Sequence, residues 1–224
     1  MSKPYQNYLE VREAVRKMIE NYPKEAAPSK YWREELAGFE YMLDASSSII
    51  DKLRQHTHHI TGLRDYDYRK HHSHQAKKLE VKLKALQAAD RSNLLVAENS
   101  ALGGFGFEID GALYNYDTLK FYESLIAMDK VRLLEQFKSN IRQPTSSPLI
   151  LEIGSGWGGF AYQFKTLFPH TTYVLMDLPE VFIFSATYLK NLFPEAKILM
   201  SDGLSDFGDD LKIRDYDFVF IPHY

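Results

Sequence analysis

The chain has 224 residues, 45% hydrophobic and 25% charged, which suits one large domain or one domain with a helical extension. Its net charge of −3 argues against a general nucleic-acid or membrane-surface protein, because both need a basic excess. It has no cysteine, which excludes disulfides and thiolate zinc sites and fits a cytoplasmic enzyme; no run nears the roughly 20 apolar residues of a membrane span, and MSKPYQNYLEVREAVRKM has no apolar signal core.

The first region reads as helical. Leu9, Val11, Val15, Met18, Ile19 and Tyr22 recur at helical spacing, and Pro23 stops the run. Ser29 is placed to cap a second helix carrying Trp32, Leu36, Phe39 and Leu43 on one side. Ile49, Ile50 and Leu53 continue a similar stripe toward Thr61-Gly62. These stripes suit core packing or contacts in a homo-oligomer. A charged helix follows over roughly residues 73–89, with Leu79, Leu83 and Leu86 in register. In ALGGFGFEIDGALYNYD, alternating Phe105, Phe107 and Ile109 before Asp110-Gly111 predict a short hairpin. That segment can serve as a lid over a ligand or dock the helical region on the rest. Asp117 is placed to cap a helix from Thr118 to about Lys138, and Gln143-PTSSP-Leu149 reads as a linker. Three regions result: helices over 1–100, the hairpin and a connecting helix over 101–146, and a core over 147–224.

Beyond the linker, strands LILEI, TYVLMD, KILMSD and DFVFI alternate with helical GFAYQFKTLF and EVFIFSATYLKNLF. That alternation predicts an α/β fold, a doubly wound parallel sheet with right-handed crossovers. The chain stops at Tyr224, just after the fourth strand, where such a sheet usually has at least five. The last strand is then expected to present an uncovered apolar edge, and the chain to be a fragment or to be completed by another chain.

Ligands of such sheets sit outside the carboxyl ends of the strands. There LILEIGSGWGG offers four glycines in six positions, ahead of a helix whose free amides point at the same place. Gly154-x-Gly156-x-x-Gly159 satisfies a dinucleotide pattern literally, so an NAD-type oxidoreductase is one reading. S-adenosylmethionine is the other: its ammonium, ribose and adenine gain from acids. Glu152 ends the first strand, on the side of the methionine tail. Asp177 ends the second, with two acceptor oxygens for ribose hydroxyls. Asp202, beside Gly203, ends the third and suits an adenine amino group. Asp177 fits either cofactor; Glu152 and Asp202-Gly203 favour the adenosyl one.

LEIGSGWG, MDLPEV and SDG together resemble a class I S-adenosylmethionine-dependent methyltransferase. More narrowly, RQHTHHITG, GGFGFEIDG, NYDTLKFYE, LEIGSGWGGFAYQFK and DLPEVFIFSATYL are similar to the sugar O-methyltransferase family, over most of residues 29–224. The resemblance implies a Rossmann-like core, S-adenosylmethionine as cofactor, and methyl transfer to a hydroxyl of a sugar or glycan acceptor in polysaccharide synthesis. The cofactor-binding set is then Glu152, Gly154, Ser155, Gly156, Gly158, Asp177, Leu178, Asp202 and Gly203. The later strands and helices of such a domain are absent, which keeps open a truncated or degenerate, non-catalytic chain.

Methyl transfer to oxygen needs in-line alignment and removal of the hydroxyl proton. His223, after the fourth strand, is the candidate base, against plain use in a turn. His56, His58 and His59, then His71, His72 and His74, form a second cluster. Without cysteine a metal would need carboxylates such as Asp65 or Asp67 beside them, and HHSH reads as a solvated helix start, so no metal ligand is assigned. HTHHITG can line the acceptor pocket or serve as ordinary structure.

Overall fold

The computed structural model describes residues 1–69, 72–138, 148–201 and 213–224. Helix α1 (Lys3–Glu20) buries Tyr8, Val11, Val15 and Met18, the three-and-four spacing of one helical stripe. That stripe is core within the chain, not a surface for a second copy. The Tyr8 hydroxyl donates to the Met42 carbonyl at 2.9 Å and accepts from the Ala45 amide at 3.0 Å, which pins the next turn to α1. Helix α2 (Lys30–Ala37) is capped by Ser29 as expected, its oxygen accepting from the Trp32 amide at 3.4 Å. The expected single stripe does not form. The helix ends at Ala37, Phe39 and Met42 turn into the core, and Trp32 stays 47% exposed. Three single-turn helices follow, α3 (Ser47–Ile50), α4 (Leu53–His56) and α5 (His58–Thr61). Helix α6 (Ser73–Ala89) buries Leu79 and Leu83.

Strands β1 (Phe107–Ile109) and β2 (Ala112–Tyr114) form the expected hairpin. Asp110 and Gly111 both take positive φ, 51° and 78°, the left-handed pair that a two-residue turn needs to match strand twist. Helix α7 (Tyr116–Lys130) starts earlier than expected and stops at Lys130, well short of Lys138. Asn115, not Asp117, is its cap: its side chain accepts from the Thr118 amide at 2.9 Å, and the Thr118 hydroxyl accepts from the Asn115 amide at 3.4 Å. This reciprocal pair fixes the helix start and leaves Asp117 free for the interior. The linker read at 143–149 lies outside the described residues up to 147.

The second half alternates β3 (Leu149–Ile153), α8 (Gly159–Leu167), β4 (Thr172–Asp177), α9 (Phe182–Leu192), β5 (Ile198–Met200) and β6 (Phe218–Pro222). The four strands pair in parallel, in the order β3-β4-β6-β5. The fold is therefore α/β with a parallel sheet, as expected. The position of the last strand is not. Rather than exposing an apolar edge, β6 lies between β4 and β5 and is buried throughout. FVFIP is apolar on both faces and gains most from an interior place, whereas β3 alternates and takes an edge. The dinucleotide-binding order of doubly wound sheets sets the fourth strand beside the first; here it pairs with the second and third.

Tyr173, Leu175, Phe218 and Phe220 share the face covered by α8 and α9. Phe164 packs edge-on to Tyr173 at 5.6 Å between centroids, and Phe182 to Phe220 at 5.4 Å. Helix α1 packs on α9 in turn. The opposite face holds a small cluster of Val174, Val219 and Ile221. On that face Leu151 and Ile153 of β3 remain 47% and 76% exposed. One apolar core runs from Tyr8 through Leu119 to Phe220. No helix among the described residues is long and apolar enough to cross a membrane.

Candidate functional site at the glycine turn

The glycines after β3 serve two purposes. The Gly154 amide donates to the Met176 carbonyl at 2.8 Å, extending the ladder, and the Gly158 amide closes the turn on the Ser155 carbonyl at 3.0 Å. Gly158 caps α8 with φ of 84°; a Cβ there would meet Ser185 Cα and Cβ at 3.2 and 3.1 Å. At Gly159 a Cβ would fall 2.2 Å from the Trp157 ring. Gly158 lets α8 and α9 approach, and Gly159 leaves room for the Trp157 and Phe121 rings. At Gly154, φ is 77° and a Cβ would meet nothing within 4 Å. That bareness serves no packing contact, and it faces open space.

Two strand-end acids flank the turn. Asp177 clamps it: Oδ2 accepts from the Gly156 amide at 2.8 Å and Oδ1 from its neighbour Leu178 at 2.8 Å. Burial pushes this carboxyl above its ordinary range, opposed by the two amides and by nearby His223. The buried Ser155 hydroxyl lies close enough to favour the ionised form, yet makes no hydrogen bond. Glu152 accepts from the Tyr173 hydroxyl through Oε2 at 2.9 Å. Burial raises its carboxyl to about 7, with Asp177 adding like-charge repulsion and Tyr173 and Lys120 opposing. Asp202 and Gly203 lie outside the described residues.

Two cavities meet at Gly154. The larger, about 630 Å³, is walled by Glu152, Ser155 and Gly156 on one side and by Asp117, Lys120 and Phe121 of α7 on the other. The smaller, about 380 Å³, holds Asp177, Leu178 and His223 with Trp32. The sequence-predicted residues thus come together, but on two sides of the turn. Gly158 is the exception, because it faces α9 rather than either cavity.

His223 is held by its surroundings. Its amide donates to the Asp177 carbonyl at 3.1 Å. Its Nε2 lies 3.1 Å from the Ala26 carbonyl, which assigns the proton to that nitrogen. Nδ1 then remains the basic atom; the Tyr22 hydroxyl lies 3.4 Å from it and 3.2 Å from Nε2.

Sequence reasoning missed the most heavily bonded group beside the site. Arg54 is fully buried and donates to Glu98 at 2.8 Å, to Asp117 at 3.3 Å and to Thr57 at 2.5 Å. Its guanidinium lies 3.6 Å from the centroid of the Trp157 ring, and Trp157 Nε1 donates to Asp117 at 3.2 Å. This knot ties α4, α7 and the hairpin region to the glycine turn. Its one sequence signal is an arginine that continues the apolar stripe of Ile49, Ile50 and Leu53. The hairpin supports the knot: Phe105 and Phe107 are buried against Tyr68, with centroids 5.3 and 5.0 Å away. Docking is the use observed for these rings.

Among the described residues, no three metal-capable side chains gather into a site. His56 Nδ1 lies 2.6 Å from the Tyr41 hydroxyl, and the His58 and His59 rings lie 4.0 Å apart. Burial, then the charge of His58, pushes His56 and His59 below their ordinary value. From HTHHITG it is Ile60 and Thr61, not the histidines, that line the larger cavity. No protein-family model, curated protein or solved structure matches the chain.

Proposed function

We propose that the glycine turn is an adenosyl-cofactor site and that the protein is a cytoplasmic S-adenosylmethionine-dependent O-methyltransferase acting on a sugar or glycan hydroxyl. The observation that carries this reading is Gly154, whose open backbone lies between two half-buried acids at neighbouring strand ends. The residues fit the cofactor. An L side chain at Gly154 would fill the cradle, the two cavities that meet there fall within the usual size of ligand sites, and the acids suit cationic and hydroxyl groups. When bound, the cofactor supplies an electrophilic methyl on a sulfonium.

Glu152 meets the ammonium in its ionised form, which its position near neutrality makes accessible. Each Asp177 oxygen accepts one amide and keeps a second lone pair, so the same carboxylate holds the turn and receives ribose hydroxyls. Leu178 lines the cavity of Asp177, on the proposed adenine side. His223 takes the acceptor's hydroxyl proton at Nδ1. A Rossmann-like class I domain sets its fourth strand against its first, whereas β6 pairs with β4. The reading therefore rests on the ends of β3 and β4, which are neighbours in either order.

A rival reading, a degenerate chain without cofactor, draws on one fact: both Asp177 oxygens already have protein donors. Calorimetric titration with S-adenosylhomocysteine, with NAD as control, separates the two. Saturable adenosyl binding that Asp177→Ala abolishes supports the methyltransferase. Binding of NAD alone, or of neither ligand, sinks it.

A further inference from the structure

A third cavity, about 380 Å³, opens between the N-terminal helices and the segment after β4. Its walls are Ile19, Leu36, Phe39, Leu43 and Ile183, and it shares only Pro28 with the smaller cavity at the turn. Two acids line it, Glu40 from an exposed position and Glu180 from a more enclosed one. Glu180 lines the cavity, and its Oε2 is buried without a hydrogen-bond partner. An orphaned carboxylate oxygen in apolar surroundings is costly, and a ligand donor would relieve it. The Tyr22 ring also lines the cavity.

The charges around Glu180 decide the kind of donor. Burial is the main reason its carboxyl stands above its usual range, opposed by its own backbone amide and by His223, while Asp177 adds repulsion. Arg33 and Glu40 line the same cavity from exposed positions and oppose each other. An anionic ligand would meet the charge of Glu180, which Arg33, already opposed by Glu40, does not offset. An alcohol would supply a hydrogen bond and leave the negative charge unanswered. An ammonium supplies both donor and charge, and the Tyr22 face suits a cation.

We propose that this cavity is a second ligand site for an apolar primary amine, with its ammonium on Glu180 and Tyr22 and its hydrocarbon body against Ile19, Leu36, Phe39, Leu43 and Ile183. The volume lies within the range of about 300–1,000 Å³ usual for small-molecule sites.

The test is calorimetric titration of the full chain with n-hexylamine, n-hexanol and hexanoate. Hexylamine is expected to bind saturably, about tenfold or more tighter than hexanol, with no measurable binding of hexanoate. Glu180→Gln should bring hexylamine to within about twofold of hexanol and leave hexanol unchanged. Leu36→Trp, which fills the cavity, should remove both. Saturating S-adenosylhomocysteine should leave the amine titration intact. Hexanoate binding as tightly as hexylamine, no binding of any of the three, an amine preference that survives Glu180→Gln, or displacement by S-adenosylhomocysteine would each overturn the proposal.

Discussion

Glu98 and Asp117 lie on one side of Trp157, and Glu152 and Asp177 end the strands on the other. All four carboxyls are pushed up by burial, but their partners differ. Arg54 stands between the first two, and Asn115, Thr118 and the Trp157 ring nitrogen add donors. Among the described residues the second two have no cation bonded to them, only a tyrosine hydroxyl and two backbone amides, and each lines a cavity, as Asp117 also does. Burial alone does not separate a structural acid from a site acid. A bonded cation does: Asp117 and Asp177 each accept two donors, but only for Asp117 is one of them an arginine.

The contrast breaks first at Arg54. Arg54→Met leaves two buried carboxylates without their cation and is expected to lower stability by about 3–5 kcal/mol. Urea unfolding reads this directly, and a loss under about 1 kcal/mol would mean the knot is dispensable.

Glu152→Gln sharpens the other half. A folded-state carboxyl at about 7, above its ordinary 4.5, means the folded protein holds this proton more tightly than the unfolded chain. Its contribution is then full at low pH and is lost as pH rises from about 4.5 through 7, by up to about 3 kcal/mol. The glutamine variant should match wild type near pH 4 and exceed it by pH 8. A difference that does not change with pH would remove the case for a poised Glu152.

The glycines give a smaller effect. Gly158→Ala combines a left-handed backbone with contact on Ser185 and should cost about 2 kcal/mol or more, against about 1 kcal/mol for Gly154→Ala, which meets only space. Equal losses in thermal unfolding would contradict the division between packing and ligand-facing glycines. Least of all, Ser29→Ala removes a long cap bond from a short, exposed helix and should cost no more than about 0.5 kcal/mol.

Local signals made much of this structure legible. Asp110-Gly111 announced the hairpin, the leucine register gave α6 its bounds, and the apolar runs of β3 and β4 end where the sequence suggests. Glu152 and Asp177 were legible for the same reason, as acids that end strands. What escaped depends on contacts between distant segments. Arg54 pairs with acids 44 and 63 positions away, and nothing local marks that choice. The place of β6 follows from a competition among four apolar strands for the two interior positions, which burial on both faces decides. The division of the site into two cavities arises from α5 and α7 on one side and residues 25–32 on the other, far from the turn in sequence.

The most direct test of the contrast compares wild type, Glu152→Gln and Glu98→Gln in one titration series with S-adenosylhomocysteine, with unfolding followed in parallel. Glu152→Gln should weaken binding about tenfold or more, the worth of a charge-assisted hydrogen bond, without losing stability at pH 8. Glu98→Gln should lose stability while its folded fraction binds within about twofold of wild type. No saturable binding by wild type, or equal affinity in all three proteins, would contradict the assignment of the glycine turn as the cofactor site.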